Sequence, residues 1–238
     1  MAMMPPEPAS SLAIVMPVLN EAAGIEAALR ALAPLRARGA RVVVADGGSA
    51  DDTPAWARRF GGVEVIEAAR GRAAQMNAGA LAASGARVLL FLHADTTLPP
   101  DADRLILRAL AEGRHVWGRF DVRITGRPWM LRVVAAFMNA RSRWSGIATG
   151  DQALFVQRNI FEQVGRFAEI PLMEDVEFSR RLKRAGRLVP LPDQVVTAFR
   201  RWEQNGPLRT ILLMWTLRFL YWIGISPYRL QHFYSIVR

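Results

Sequence analysis

The chain has 238 residues, of which 51% are hydrophobic and 22% charged, a composition that belongs to a folded globular protein and excludes a disordered one. It contains no cysteine, which excludes a disulfide framework, a thiolate metal site and a cysteine nucleophile. The net charge of +10 attracts polyanions: nucleic acid, nucleotide phosphates or an anionic membrane surface. Genome composition explains the preference for arginine over lysine equally well, but it does not explain the net charge.

Patterns typical of strands and helices alternate along the first half of the chain. The predicted strands are Leu12–Met16, Arg41–Ala45, Val63–Ile66, Arg87–Leu92 and Val116–Ile124. The predicted helices are Ala22–Arg36, Pro54–Phe60, Ala73–Ala83 and Asp101–Ala111. Asn20 and Thr53 are placed to cap the first two of these helices. This βαβα order predicts a mostly parallel sheet covered by helices on both faces.

After Thr125 the pattern becomes more helical. The predicted helices are Trp129–Arg143, Arg158–Val164, Val176–Ala185 and Leu208–Ile223. The short predicted strands are Ala153–Val156, Leu188–Val189 and Val195–Ala198. Arg218 interrupts the apolar last helix and leaves an uncharged stretch that is too short for a membrane span. That helix fits a buried position and a position in the membrane interface equally well.

Polar, turn-rich segments follow three of the predicted strands. The wholly apolar run Val88–Leu92 leads into His93-Ala94-Asp95. The second strand leads into Asp46-Gly47-Gly48-Ser49, and the first into the segment Pro17–Glu21. Because ligands bind at the carboxyl ends of the strands in open α/β sheets, we expect the active site at this edge.

His93-Ala94-Asp95 resembles the Asp-X-Asp motif of sugar-nucleotide enzymes. Alternation along an extended chain puts residues 93 and 95 on the same side, where a carboxylate can hold Mn²⁺ or Mg²⁺ against a diphosphate. The alternative is that Asp95 serves only as a turn residue. Asp46 can likewise accept a hydrogen bond from a base or a ribose, or simply organise the glycine turn.

Three further segments have both a functional and a structural interpretation. Arg70-Gly71-Arg72 begins a helix and suits a diphosphate, or is a solvated basic loop. Asp175, next to Glu174, could take a proton from an attacking hydroxyl, although acids favour the first turn of any helix. Arg200-Arg201-Trp202 could grip an anionic or sugar-like acceptor, or contribute only to packing.

Together, in order and spacing, these segments resemble the family 2 glycosyltransferases, which have the GT-A fold. The resemblance covers roughly Leu12–Gly186. The matching segments are Pro17-Val18-Leu19-Asn20-Glu21, Asp46-Gly47-Gly48-Ser49 with Asp51 and Thr53, Arg70-Gly71-Arg72 with Asn77, Ala94-Asp95, and Glu174-Asp175. The fold it implies is α/β, GT-A and Rossmann-like, with a mostly parallel central sheet, helices on both faces and a C-terminal helical segment.

The resemblance implies an inverting, metal-dependent transfer of a sugar from a nucleotide diphosphate to an acceptor hydroxyl. Asp175 would be the general base, and Asp95 would hold the metal, Mn²⁺ or Mg²⁺, on the diphosphate. The donor-binding residues it implies are Pro17, Val18, Glu21, Asp46, Gly48, Arg72, Asn77, His93, Ala94 and Asp95. The acceptor-binding residues are Asp151, Glu174, Arg201 and Trp202.

Two residues depart from the family pattern. His93 replaces the first acid of Asp-X-Asp, and Gly47 replaces the second acid of Asp-Asp-Gly-Ser. Asp95 would therefore bind the metal, and His93 would either contact the ribose or bind the metal as a nitrogen ligand. Further segments, among them Gly150-Asp151-Gln152, resemble a bacterial subgroup named for its association with radical-SAM/selenium-domain proteins or for arsenosugar synthesis. Those names reflect neighbouring genes, so they imply no substrate.

The predicted organisation is one GT-A domain at residues 12–200. Residues 12–125 form its nucleotide-sugar-binding half and residues 126–200 its acceptor half. Residues 1–11, which lack the features of a signal peptide, are interpreted as a flexible leader, and residues 201–238 as a helical segment close to a membrane. We expect a cytoplasmic protein at the periphery of the inner membrane, with a lipid-linked acceptor as one interpretation of the terminal helix. The sequence specifies neither the acceptor nor the oligomeric state.

Two other classes of protein share some of these features. A sugar-phosphate nucleotidyltransferase also has a strand-ending acid, but it carries a glycine-rich loop with a lysine after the first strand, which Pro17–Glu21 lacks. A non-catalytic module could use the basic charge to bind nucleic acid, yet neither a helix-turn-helix nor an aromatic RNA-binding strand is evident. We therefore expect a sugar nucleotide as partner and no nucleic acid.

Overall fold

The aliphatic runs of the sequence form one eight-stranded sheet. The computed structural model describes residues 11–111, 113–126, 129–198 and 207–237. The strands are β1 (Leu12–Val18), β2 (Arg41–Asp46), β3 (Val63–Glu67), β4 (Val88–Phe91), β5 (Thr96–Thr97), β6 (His115–Ile124), β7 (Phe155–Gln157) and β8 (Arg187–Thr197). Their spatial order is β3-β2-β1-β4-β7-β6-β8-β5.

Helices cover this sheet and follow it in the chain. They are α1 (Ala22–Ala31), α2 (Ala33–Ala37), α3 (Thr53–Arg58), α4 (Arg72–Ala82), α5 (Ala102–Ala111), α6 (Met130–Ser145), α7 (Arg158–Gln163), α8 (Glu174–Ala185), α9 (Pro207–Trp222) and α10 (Pro227–Val237). A single turn of 3₁₀ helix spans Gly150–Gln152. The short strand β5 and helix α10 were not predicted from the sequence.

The first four strands in the order of the sheet, β3, β2, β1 and β4, are parallel to one another. Strand β7 runs antiparallel to both of its neighbours, β4 and β6, whereas β8 pairs parallel with β6. Strand β5 closes the edge, antiparallel to β8. The predicted α/β class with a mostly parallel sheet is confirmed, and the antiparallel strands lie in its second half.

The alternation of side chains along β1 divides the core into two layers. Ile14 and Met16 pack with residues of α1, α2, α5 and α6 on one face of the sheet. Ala13 and Val15 pack with residues of α4, α7 and α8 on the other face. Since successive side chains of a strand point to opposite faces, a strand buried on both faces is apolar throughout, as the sequence of β1 is.

Strand β8 was predicted as two short strands separated by the segment Pro190–Gln194. It is one strand, because the pairing with β6 continues through an irregularity rather than ending. Leu191 pairs with Phe120 and Gln194 with Asp121, so the two residues between Leu191 and Gln194 bulge out of the ladder. Proline lacks the N–H that a ladder requires and is tolerated in strands at such bulges.

The terminal helices α9 and α10 contact the rest of the chain through a separate small cluster of apolar residues. Leu217 of α9 and Leu230 of α10 are buried against Met173 and Val176 at the beginning of α8. Within the ranges given above, no helix is long and apolar enough to cross a membrane.

Helix α4 approaches β1 closely at Gly79. A Cβ built on this glycine would overlap Cγ1 of Val15. We predict that Gly79→Ala lowers the free energy of unfolding by about 1–3 kcal/mol, because the helix must move away from the strand. Urea denaturation measures the difference.

Gly24→Ala in α1 is the matched control, since no heavy atom lies within 4 Å of a Cβ placed there. Its stability should be unchanged or should rise by up to about 1 kcal/mol, from helix propensity alone. Equal destabilisation by the two substitutions would contradict the close contact between α4 and β1.

Candidate active site

The loops that follow β1 and β2 are fastened to each other by side-chain hydrogen bonds. The backbone N–H of Ala50 donates to Oδ1 of Asn20 (2.8 Å), and the N–H of Asn20 donates to Oγ of Ser49 (2.9 Å). The N–H of Glu21 donates to Oγ1 of Thr53 (2.8 Å). These bonds hold the two loops at one end of the sheet in a fixed relation.

The predicted helix caps at Asn20 and Thr53 are therefore wrong. The N-cap positions of α1 and α3 are Glu21 and Asp52, and neither cap makes a side-chain hydrogen bond. Asn20 has a positive φ of 55°, and its side-chain oxygen accepts a hydrogen bond from Ala50 rather than from α1. Both polar side chains join loops that are distant in sequence, and local capping patterns carry no information about such pairing.

Asp46, at the end of β2, organises the glycine turn. It is only 4% exposed. Its Oδ2 accepts hydrogen bonds from the backbone N–H groups of Gly48 and Ser49 (both 3.1 Å), and its Oδ1 accepts one from the Ser49 hydroxyl. Gly48 has a φ of +82°, a conformation that favours glycine. Asp46 thus fixes the shape of the glycine turn that follows β2.

Gln75, a residue of α4 to which the sequence motifs assign no role, ties the ends of β1 and β2 together. Its Nε2 donates to the carbonyl oxygens of Val18 (2.6 Å) and Ala45 (2.9 Å). A Cβ on Gly47 would lie 2.9 Å from this side chain, so the glycine leaves room for it. The signal in the sequence is a polar residue among the apolar positions of α4.

Helix α4 also reaches the second half of the molecule. The side-chain amide of Asn77 donates to the carbonyl oxygen of Phe167 (2.9 Å) and accepts from its N–H (3.0 Å). Nη1 of Arg72 lies 3.4 Å from Oε1 of Glu174, the first residue of α8. Asn77 therefore has a supporting role here, and Arg72 links the beginnings of α4 and α8.

The end of β4 faces the 3₁₀ turn Gly150–Gln152. Nδ1 of the buried His93 lies 3.3 Å from Oδ1 of Asp151, a distance that allows an ion pair but without the geometry of a hydrogen bond. A Cβ on Gly150 would lie 2.5 Å from Cε1 and Nε2 of His93. The imidazole can occupy this position only because residue 150 has no side chain.

The same 3₁₀ turn also holds Asp175. The N–H of Gly150 donates to Oδ2 of Asp175 (2.9 Å), and the N–H of Val176 donates to Oδ1 (2.7 Å). The turn is itself fixed by a capping box between Thr149 and Gln152. Asp175 is thereby brought to the segment that also contacts His93, although the two residues are far apart in sequence.

Asp95 is half-buried beyond the end of β4. Its carbonyl oxygen accepts a hydrogen bond from the N–H of Ala198 (3.0 Å), and its Oδ1 accepts one from the Thr96 hydroxyl (3.3 Å). No cluster of three His, Asp or Glu side chains suited to a metal exists among the residues that the structure describes. A divalent ion at Asp95 would thus need phosphate and water oxygens as further ligands, which is how Mg²⁺ is usually bound.

The remaining predicted site residues have these positions. Pro17, Glu21, Ala94 and Asp151 are partly exposed, and Val18 is buried at the end of β1. The predicted acceptor residues Arg201 and Trp202 lie outside the described residues.

Glu174 and Asp175 are adjacent carboxylates with different surroundings. Glu174 is 4% exposed, and burial together with the neighbouring Asp175 raises its pKa above the ordinary value, although Arg72 opposes the shift. Asp175 is less buried and accepts the two backbone hydrogen bonds described above. The pair therefore offers one carboxylate that resists ionisation and one that is oriented by the backbone.

The same fold occurs in solved structures of other proteins. The structure of S. aureus TarS 1-349 in complex with UDP gives a TM-score of 0.65 at 15% identity, over 79% of this chain and 60% of that one. The mannosyltransferase PcManGT from Pyrobaculum calidifontis, in complex with GDP-Man and Mn²⁺, gives 0.60 at 21% identity, over 78% and 56%. The fold is GT-A, as predicted.

Residues 13–168 match the family described as Glycosyl transferase family 2. The chain therefore belongs to glycosyl transferase family 2. The succinoglycan biosynthesis protein ExoA of Rhizobium meliloti (strain 1021) is 40% identical over 112 residues, which are 44% of this chain and 34% of that protein. The match thus spans about a third of that relative. The narrower bacterial subgroup stays a prediction.

The raised pKa of Glu174 predicts a pH-dependent stability. Between the ordinary pKa of a glutamate and the raised one, the folded chain binds more protons than the unfolded chain, so stability falls as pH increases through that interval. Glu174→Gln removes the buried ionisation and should flatten this decline. The stability of the variant relative to the unsubstituted protein should therefore be higher at pH 7 than at pH 5. Thermal unfolding of both proteins from pH 5 to pH 8 measures the difference.

The control is Glu26→Gln, which removes an exposed glutamate of α1. Its pH profile should parallel that of the unsubstituted protein. A Glu174→Gln profile that also runs parallel would contradict the assigned burial effect.

Proposed function

We propose that this chain transfers a sugar, with inversion, from a nucleotide diphosphate donor to an acceptor hydroxyl. One observation carries the proposal: the 3₁₀ turn Gly150–Gln152 contacts both Asp175 and His93, which lies two residues before Asp95. The candidate base Asp175 and His93 are thus held by the same turn. They come from the two halves of the domain predicted at residues 12–200, the donor half and the acceptor half.

The donor would lie along the ends of β1, β2 and β4. The loops after β1 and β2 would receive the base and ribose, at Pro17, Val18, Glu21, Asp46 and Gly48. Their mutual hydrogen bonds support this assignment, because a preorganised loop loses little entropy on binding. Arg72 at the beginning of α4 would approach the diphosphate, where a helix N-terminus and a guanidinium both favour anions.

The oxygen ligand at Asp95 fits Mn²⁺ or Mg²⁺, with the diphosphate supplying further oxygens. The ion would neutralise the charge on the departing diphosphate. His93 and Ala94 would border this part of the site. TarS has been solved with UDP and with UDP-GlcNAc, and PcManGT with GDP-Man and Mn²⁺, which supports a nucleotide sugar and a divalent ion here.

Asp175 would act as the general base. Hydrogen bonds from Gly150 and Val176 orient its carboxylate, and each oxygen keeps a lone pair for another hydrogen bond. It would accept the proton of the acceptor hydroxyl while the hydroxyl oxygen attacks the anomeric carbon from the side opposite the leaving group. The bond between that carbon and the diphosphate breaks, the nucleoside diphosphate leaves, and the configuration inverts. Glu174 and Asp151 would border the acceptor.

The acceptor is proposed to be lipid-linked and to reach the enzyme at the inner membrane surface. Exposed aromatic side chains on α6 and α9 support this, since such residues favour the membrane interface. They are Phe137, Trp144, Trp215, Phe219 and Trp222. The net charge of +10 favours an anionic surface.

We predict that Asp175→Asn lowers the rate of nucleoside diphosphate release by at least about 100-fold, because a general base contributes that much or more to such a step. The assay offers UDP-, GDP- and TDP-sugars with Mn²⁺ and measures the release of the nucleoside diphosphate. Glu177→Gln is the control, since Glu177 lies on the same helix and pairs with Arg181. Full activity of Asp175→Asn would exclude this residue as the base.

We predict that Asp95→Asn abolishes the Mn²⁺-dependent part of donor binding. At a donor concentration about 100-fold above Kd, the unsubstituted protein should gain about 2.7 kcal/mol of stability from the ligand. The variant should lose most of this gain in a thermal-shift assay with Mn²⁺, while Asp101→Asn, an exposed carboxylate before α5, should keep it. A gain that survives in Asp95→Asn would place the metal elsewhere.

A further inference from the structure

A groove between α6 and α9 opens beside the candidate active site. It encloses about 90 Å³, room for several water molecules. Its apolar walls are formed by Val134, Phe137, Met138, Met214 and Trp215. Its polar lining consists of Arg141, Arg218 and Asp151.

The two arginines of the groove bring buried N–H groups that lack acceptors. Nε and Nη2 of Arg141 and Nε of Arg218 have no hydrogen-bond partner within the described part of the chain. Burial and the neighbouring Arg218 lower the pKa of Arg141 to about 10, although Asp175 opposes the shift, so the guanidinium of Arg141 is charged at neutral pH. Because buried donors are normally satisfied, three unsatisfied N–H donors on two arginines that line the same groove favour an anionic ligand.

The groove adjoins the proposed reaction centre. Asp151 lines it and also lies 3.3 Å from Nδ1 of His93. The neighbouring residue, Gly150, is hydrogen-bonded to Asp175. A molecule bound in the groove would therefore have one end close to the candidate base.

We propose that this groove binds the phosphate of a lipid-linked acceptor. The phosphate pairs with Arg141 and Arg218, the hydrocarbon chain lies along Phe137 and Trp215, and the part that carries the reactive hydroxyl extends toward Asp175. Guanidinium groups suit a phosphate because they donate in a planar fork. This inference rests on the proposed transfer to an acceptor hydroxyl, and it assigns the residues that recognise the acceptor.

The walls of the groove favour a lipid phosphate over a free one. Phe137 and Trp215 pack against each other with ring centroids 5.8 Å apart, and both are largely exposed. The exposed rings of Phe219 and Trp222 follow on the same helix as Trp215. A free phosphate would use only the arginines, whereas a hydrocarbon chain would also cover this aromatic surface.

The test measures binding of farnesyl phosphate to the whole chain by isothermal titration calorimetry, at concentrations below micelle formation and with no sugar nucleotide. Arg218→Gln and Arg141→Gln should each weaken binding by at least about tenfold, because each removes a charged hydrogen-bond donor. Arg132→Gln, an exposed arginine on α6, removes the same charge and should leave binding unchanged. Farnesol and inorganic phosphate should each bind much more weakly than farnesyl phosphate.

Equal binding by all the variants, or no binding of farnesyl phosphate, would overturn the proposal. Inorganic phosphate binding as tightly as farnesyl phosphate would also overturn it, in favour of a free anion. Thermal unfolding identifies a variant that fails to fold. If Arg141→Gln fails to fold, the test depends on Arg218→Gln, which lies on a terminal helix. Because donor binding is measured separately with Mn²⁺, failure of the acceptor groove and failure of the proposed donor site give different results.

Discussion

The arrangement of the site depends on one hydrogen bond, from the backbone N–H of Gly150 to the carboxylate of Asp175. The residue that donates it must also lack a side chain, because the ring of His93 occupies the space where a Cβ would be. Gly150 thus both orients the candidate base Asp175 and leaves space for the ring of His93. The capping box between Thr149 and Gln152 fixes this position, and Gln152 is in turn hydrogen-bonded to the buried Asn139 of α6.

Much of the fold could be predicted from the sequence, because the apolar pattern reports burial directly. Strands β1, β2 and β4 are apolar on both faces, so their positions and their parallel order followed from their composition. The turn after Asp46 was evident from its glycines. Those three strand ends do meet at one edge of the sheet, as expected for the binding edge of an α/β fold.

What the sequence did not predict depends on pairing between distant residues. Asn20 and Thr53 have the composition of helix caps, yet they bind loops about thirty residues away. Gln75 carries no motif, although it joins the ends of two strands. The groove between α6 and α9 exists only because two helices far apart in sequence bring Arg141 and Arg218 together. Local sequence patterns give no information about contacts between residues far apart in the chain, so these contacts are seen only in the folded structure.

The packing of the terminal helices links them to the chemistry of the site. Met173 and Val176 lie on either side of the two carboxylates at the start of α8, and they are covered by Leu217 and Leu230. The first turn of α8 is therefore buried between the α/β domain and the terminal helices α9 and α10. Movement of α9 against an apolar partner would therefore also displace the backbone that carries Asp175. Removal of α9 and α10 would expose that backbone to water.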